Sequence, residues 1–81
     1  MAKKLIVIRE AVALFSEEME KKLQENDYKG GWRTCSQEDL LANLRLQLEF
    51  WDESHNPKHL LNIANYAMMI WHKRNRTGNY K

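Results

Sequence analysis

Apolar residues recur every three or four positions through the first third of the chain, at Leu5, Ile8, Val12, Phe15, Met19 and Leu23. That is the helical period. Glu17, Glu18, Glu20, Lys21 and Lys22 fill positions between them as a solvated face. Residues 5–8 are apolar on every side and would also suit a short strand, but no second strand-like segment exists to pair with them. The pattern therefore predicts one helix from about residue 5 to residue 26 or 27. Gly30 and Gly31 prevent its continuation.

A second helix has a clear start. Ser36 is a good N-cap, and Asp39 three residues on makes a variant of the capping box. Leu40, Leu41, Leu44, Leu48 and Trp51 then recur at helical spacing. The break at "ESHNP" opens a third helix, with Asn56 as N-cap and Pro57 at its first position, running to about residue 74. Its stripes, Leu60, Ala64, Ala67 and Trp71 together with Leu61, Ile63, Met68 and Ile70, leave hardly a polar side. A helix apolar all round is buried all round. Three short helices cannot enclose one of their own, so the expected architecture is all-α, a three-helix protomer that completes its bundle by dimerising. Residues 1–81 are read as one domain, with 72–81 as a basic C-terminal tail. Trp51 and Trp71 fall on apolar stripes and are expected in the core.

Charge adds an asymmetry. Residues 1–53 hold all eleven acids and eight of the bases, while residues 54–81 hold Lys58, Lys73, Arg74, Arg76 and Lys81 and no acid. A stretch of one sign can meet an anionic partner. However, "RNRTGNYK" has no interleaved aromatics for base stacking, so a solvated terminus is favoured over a nucleic-acid interface. With 30% charged residues and no apolar run near the length of a span, no membrane role is expected. The opening "MAKKLIVIRE" lacks a cleavage site after its short apolar run, so it is not read as a signal peptide. A single cysteine, Cys35, fits a reducing, cytoplasmic setting, and no nearby base marks it as a nucleophile.

The run "FSEEMEKKLQENDYKGGWRTCSQEDLLANLRLQL" followed by "NIANYAMMIW" resembles the MazG-like all-α nucleotide pyrophosphohydrolases, over roughly residues 12–72. The small forms found in phages, archaeal viruses and prokaryotes are the most similar, so a viral protein in a host cytoplasm is one setting the resemblance implies. The combination of "ENDYKGGW", Ser36 four residues later, the "LL..LR..L" helix and "ANYAMM" carries it. The resemblance implies a homodimer or tetramer with a nucleotide cleft. It also implies hydrolysis of nucleoside triphosphates to monophosphate and pyrophosphate, with magnesium held by a helical E-E-x-x-E and by E-x-x-D on the next helix. Side chains at i and i+3 share a helix face, and carboxylates so placed on two packed helices converge on a hard cation that prefers oxygen.

An ungapped count from "KGGW" puts the first acids of that pattern on Leu46, Gln47 and Phe50, and "ANYAMM" puts the second on His59 and Asn62. None of these is a carboxylate. Leu46 and Phe50 offer no ligand, Gln47 and Asn62 are uncharged near-isosteres, and His59 prefers softer metals. A shifted register would use Glu49, Asp52 and Glu53, but nothing after Glu53 is acidic, so half a site would face a basic helix. The expected function is a catalytically degenerate relative that binds a nucleotide or a partner protein and needs no cofactor. The alternatives are an active magnesium-dependent pyrophosphohydrolase at Glu49, Asp52 and Glu53, and a small basic nucleic-acid-binding module. Trp32, Gln47, Asn62, Asn65 and Lys29 are the candidate nucleotide-contacting residues; Arg33 and Arg45 could also meet phosphates. For Asn62 an interhelical hydrogen bond to Gln47 is favoured. His55 and His59 lie four apart as a zinc pair would, but Pro57 intervenes and no further ligand completes the set.

Overall fold

The computed structural model describes residues 7–26 and 32–76. Among them are three α-helices and no strand: α1 (Glu10–Glu25), α2 (Gln37–Ser54) and α3 (Lys58–Arg76), with a 3-10 turn at Trp32–Thr34 before α2. The all-α class expected from the periodicity is the one observed. The Gly30–Gly31 loop, Lys29 and residues 77–81 of the basic tail lie outside the described residues.

Two helix starts follow the local chemistry. The Asp39 amide donates to Ser36 Oγ at 3.1 Å, which satisfies one of the orphan N–H groups at the head of α2. The Lys58 amide donates to Asn56 Oδ1 at 3.0 Å, with Pro57 between them, and starts α3. Replacing Ser36 with alanine should cost about 0.5–2 kcal/mol of unfolding free energy. A urea titration should show it as a lower midpoint with unchanged slope.

α1 differs from expectation. It begins at Glu10, five residues later than the stripe suggested, and its N-cap, Arg9, makes no side-chain cap bond. Val7 is 97% exposed and Ile8 is 58% exposed. The helical period runs through them, but both are exposed, and β-branched residues gain little from helix without an apolar surface to lie on.

α2 ends where His55 takes a left-handed conformation, φ 55°, and its amide donates to the Trp51 carbonyl at 2.8 Å. The His55 ring meets Trp51 edge-on at 5.1 Å. Ser54 Oγ bridges the same end: it donates to the Phe50 carbonyl and accepts from the Asn56 amide. This reversal lays α3 back along α2, and that pair forms the main helix contact of the molecule. α3 also packs against α1 and against the 3-10 turn, so it is the central element.

The core is small. Among the described residues only Leu40 and Met69 are buried apolar side chains, and Asn65 is the buried polar one. Val12, Phe15, Leu46, Leu48, Phe50 and Leu60 are all more than a third exposed. Trp71, expected in the core, is 59% exposed. No described helix is long and apolar enough to cross a membrane.

Candidate functional site

The seam between α2 and α3 brings together three of the positions singled out by sequence. Gln47 lies midway along α2, while His59 and Asn62 sit three apart on the facing side of α3. His59 Nδ1 lies 2.9 Å from Gln47 Oε1, and Asn62 Nδ2 donates to the same oxygen at 3.2 Å. The interhelical bond expected between Asn62 and Gln47 is therefore present. An amide oxygen only accepts, so His59 carries its proton on Nδ1 in this arrangement. All three side chains are half-buried. The Phe50 ring leans over the His59 ring with centroids 5.5 Å apart. Leu46, 42% exposed, points largely to solvent.

This donor set does not suit magnesium. The one oxygen shared by the cluster already accepts two hydrogen bonds, and the remaining nitrogen ligand is an imidazole. A hard cation that demands near-octahedral oxygen coordination gains little there. Glu49, Asp52 and Glu53 are exposed on α2. Among the described residues no group of three or more His, Cys, Asp and Glu side chains is arranged to hold a metal. His55 and His59 are held by different contacts, His55 on Trp51 and His59 on Gln47 and Phe50.

Beside the cluster lies a cavity of about 250 Å³. Lys22 and Asn26 of α1, Trp32 of the 3-10 turn, Leu40 of α2, and Asn62 and Asn65 of α3 border it. Asn62 thus belongs both to the cavity wall and to the cluster with Gln47 and His59. Trp32 is half-buried, and its ring meets His72 edge-on at 5.7 Å, which fixes the aromatic wall against α3. Lys22 is partly exposed, with Nζ 3.5 Å from Glu25 Oε1.

Asn65 is the unusual member. It is only 4% exposed, and its Nδ2 donates to the Met19 carbonyl of α1 at 3.3 Å. Its Oδ1 is buried without a hydrogen-bond partner among the described residues. A buried amide oxygen left unpaired costs about 1–3 kcal/mol.

Of the candidate residues Trp32, Gln47, Asn62 and Asn65, the structure brings Trp32, Asn62 and Asn65 to one cavity. Lys22, Asn26 and Cys35, which the sequence did not mark as ligand contacts, also border it. Their signal was weak: the end of an amphipathic helix and a loop cysteine. Lys29 lies outside the described residues, as does the side chain of Arg33, and Arg45 is exposed on α2. Comparison with protein-family models, with curated proteins and with solved structures returns no match to this chain.

Proposed function

We propose that this chain is a catalytically degenerate relative of the MazG-like nucleotide pyrophosphohydrolases, one that holds a nucleotide without hydrolysing it. The observation that carries the reading is the double role of Asn62. The resemblance assigns Asn62 to a metal carboxylate beside a nucleotide cleft. The side chain borders a cavity while its amide is tied into a cluster with Gln47 and His59 that contains no carboxylate. In this reading Trp32 stacks on the base and Lys22 at the cavity edge meets phosphate. The hydrogen-bonded Gln47–His59–Asn62 cluster, covered by Phe50, occupies the metal's place.

Catalysis by the family's route needs a cation to neutralise the triphosphate and to activate water. With no carboxylate at those positions the chain retains shape and loses that electrostatic help. A pyrophosphate-release assay across the nucleoside triphosphates, with magnesium or manganese, tests this directly. Turnover abolished by Glu49→Gln or Asp52→Asn would overturn the reading in favour of an active, rearranged site. Steeply salt-dependent duplex binding, lost on deleting residues 73–81, would instead favour the basic tail as a nucleic-acid contact.

The exposed apolar side chains favour a second element of the same proposal, assembly with another copy. Val12, Phe15, Leu48 and Trp71 are each between 42% and 59% exposed, and a chain this short gains the rest of its core most readily from a partner. A dimer linked to folding makes the melting temperature rise with protein concentration. Differential scanning calorimetry over a hundredfold concentration range should show that rise. A concentration-independent Tm, with a monomer mass in sedimentation, would contradict it.

A further inference from the structure

We propose that α3 of one copy pairs antiparallel with α3 of a second copy, about a two-fold axis that passes beside residues 65 and 66, with Leu60 of each on Trp71 of the other. This rests on the assembly reading above and adds to it the face and the direction.

The α2–α3 hairpin has two sides. Leu40, Asn43, Asn62, Asn65 and Met69 border the cavity that α1 helps to close. Leu41 and Ile70 border a separate groove of about 240 Å³ with Gln37 and Glu38, and no described residue of α1 lines it. Four large apolar side chains of the hairpin remain well exposed in the single chain: Leu41 at 40%, Leu48 at 46%, Leu60 at 39% and Trp71 at 59%.

On α3, Leu60, Ala64, Ala67 and Trp71 follow one another at intervals of four, three and four, so they share a helix face. Leu60, Ala67 and Trp71 are exposed and Ala64 is half-buried. Spacing and size both read the same from either end: large, small, small, large. A surface shared by two copies across a two-fold axis must be complementary to itself. Reversing the helix about the midpoint between Ala64 and Ala67 lays Ala64 on Ala67 and Leu60 on Trp71. The distance between packed helices follows the side chains at their contact. The alanines let the axes approach at the centre, and leucine and tryptophan fill the space towards the ends.

Charge selects the same direction. α3 carries Lys58, Lys73, Arg74 and Arg76 and no acid. Arg74 is exposed and lies three residues beyond Trp71, so it extends the stripe. Lys58, two residues before Leu60, falls off it. The other end of α3 adjoins the turn from α2, whose last turns expose Glu49, Asp52 and Glu53. An antiparallel pair therefore brings Arg74 of each copy to the acidic turn of the other. A parallel pair brings Arg74 to Arg74, and like charges set together across an interface oppose it.

Two measurements on the full chain test this. In sedimentation, Ala67→Glu sets a carboxylate on each side of the axis and should give a monomer at a concentration where wild type is a dimer. Ala42→Glu, exposed on α2 outside the stripe and the groove, should remain a dimer. For the direction, Leu60→Cys and Trp71→Cys chains, both also carrying Cys35→Ser, are oxidised separately and as a mixture. A disulfide needs Cα atoms within about 7 Å. The mixture should yield a cross-linked pair of one chain of each kind, identified by mass. Either variant alone should yield none, because like positions then lie roughly 16 Å apart along the axes. Should removal of Leu60 or Trp71 itself dissolve the dimer, Ala64→Cys mixed with Ala67→Cys replaces them and keeps the contact small. Cross-linking of Leu60→Cys with itself, a dimeric mixture that forms no disulfide, or an Ala67→Glu dimer as tight as wild type overturns the inference and leaves assembly through another face standing. A wild-type monomer at every concentration overturns both.

Discussion

Leu40→Ala should leave the chain largely unfolded at room temperature. Leu40 is 1% exposed and is the fully buried large side chain among the described residues. It sits in the first turn of α2 and borders the cavity, so its truncation enlarges an existing space. Buried leucine-to-alanine changes cost about 2–5 kcal/mol, with the larger values where the site cannot relax. A core of this size rarely supplies more than about 3–5 kcal/mol in total, so the loss is comparable to the whole stability. Thermal melts by circular dichroism should show either no cooperative transition or a Tm lower by at least about 10 °C. Arg45→Ala, on the exposed face of the same helix, should change stability by no more than about 0.5 kcal/mol. A Leu40 variant that melts like wild type would mean that the core lies elsewhere.

The second large effect is a gain. Introducing carboxylates by Gln47→Glu together with Asn62→Asp should create a metal site at the Gln47–His59–Asn62 cluster. In the native chain one amide oxygen accepts from both His59 and Asn62. In the double variant two carboxylates face each other across the α2–α3 seam, and their repulsion lowers the stability of the metal-free protein. Divalent metal removes that penalty, because magnesium is commonly bound by one or two carboxylates together with phosphate oxygens. Binding to the folded state alone adds about 2.7 kcal/mol at a metal concentration one hundred times Kd. For a domain of this size that corresponds to a Tm increase of roughly 10–20 °C over the same variant in EDTA. Wild type should show no such increase. If the double variant ignores manganese and magnesium, positions 47 and 62 do not mark a vanished metal site.

The parts of this fold that were legible in the sequence are those decided within a few residues. The Ser36 cap, the Asn56–Pro57 start of α3 and the break before it are local hydrogen-bonding chemistry, and each is found in place. The Asn62–Gln47 bond was legible because two antiparallel helices joined by a short turn must pack, and each residue lies on the seam face of its helix. The start of α1 was not legible, since the periodicity that includes Ile8 says nothing about whether an apolar surface covers that side chain. Trp71 failed for the same reason: a stripe identifies a face, not what covers it. The role of Asn65 was half legible. The sequence marked a buried amide, but its partner is the Met19 carbonyl, 46 residues away in the chain. That contact depends on how α1 crosses α3, which no local pattern encodes. The cavity itself, bordered by α1, α2, α3 and the 3-10 turn, exists only once those elements have docked.

On the proposed reading the chain holds a nucleotide without a cation. Its most direct test is the Kd of the best-binding nucleoside triphosphate, measured calorimetrically on the wild-type chain in EDTA and again in saturating magnesium. Binding should be saturable in both, with Kd values agreeing within about twofold and no pyrophosphate accumulating in the cell. Binding that appears only with magnesium, accompanied by pyrophosphate, would contradict it.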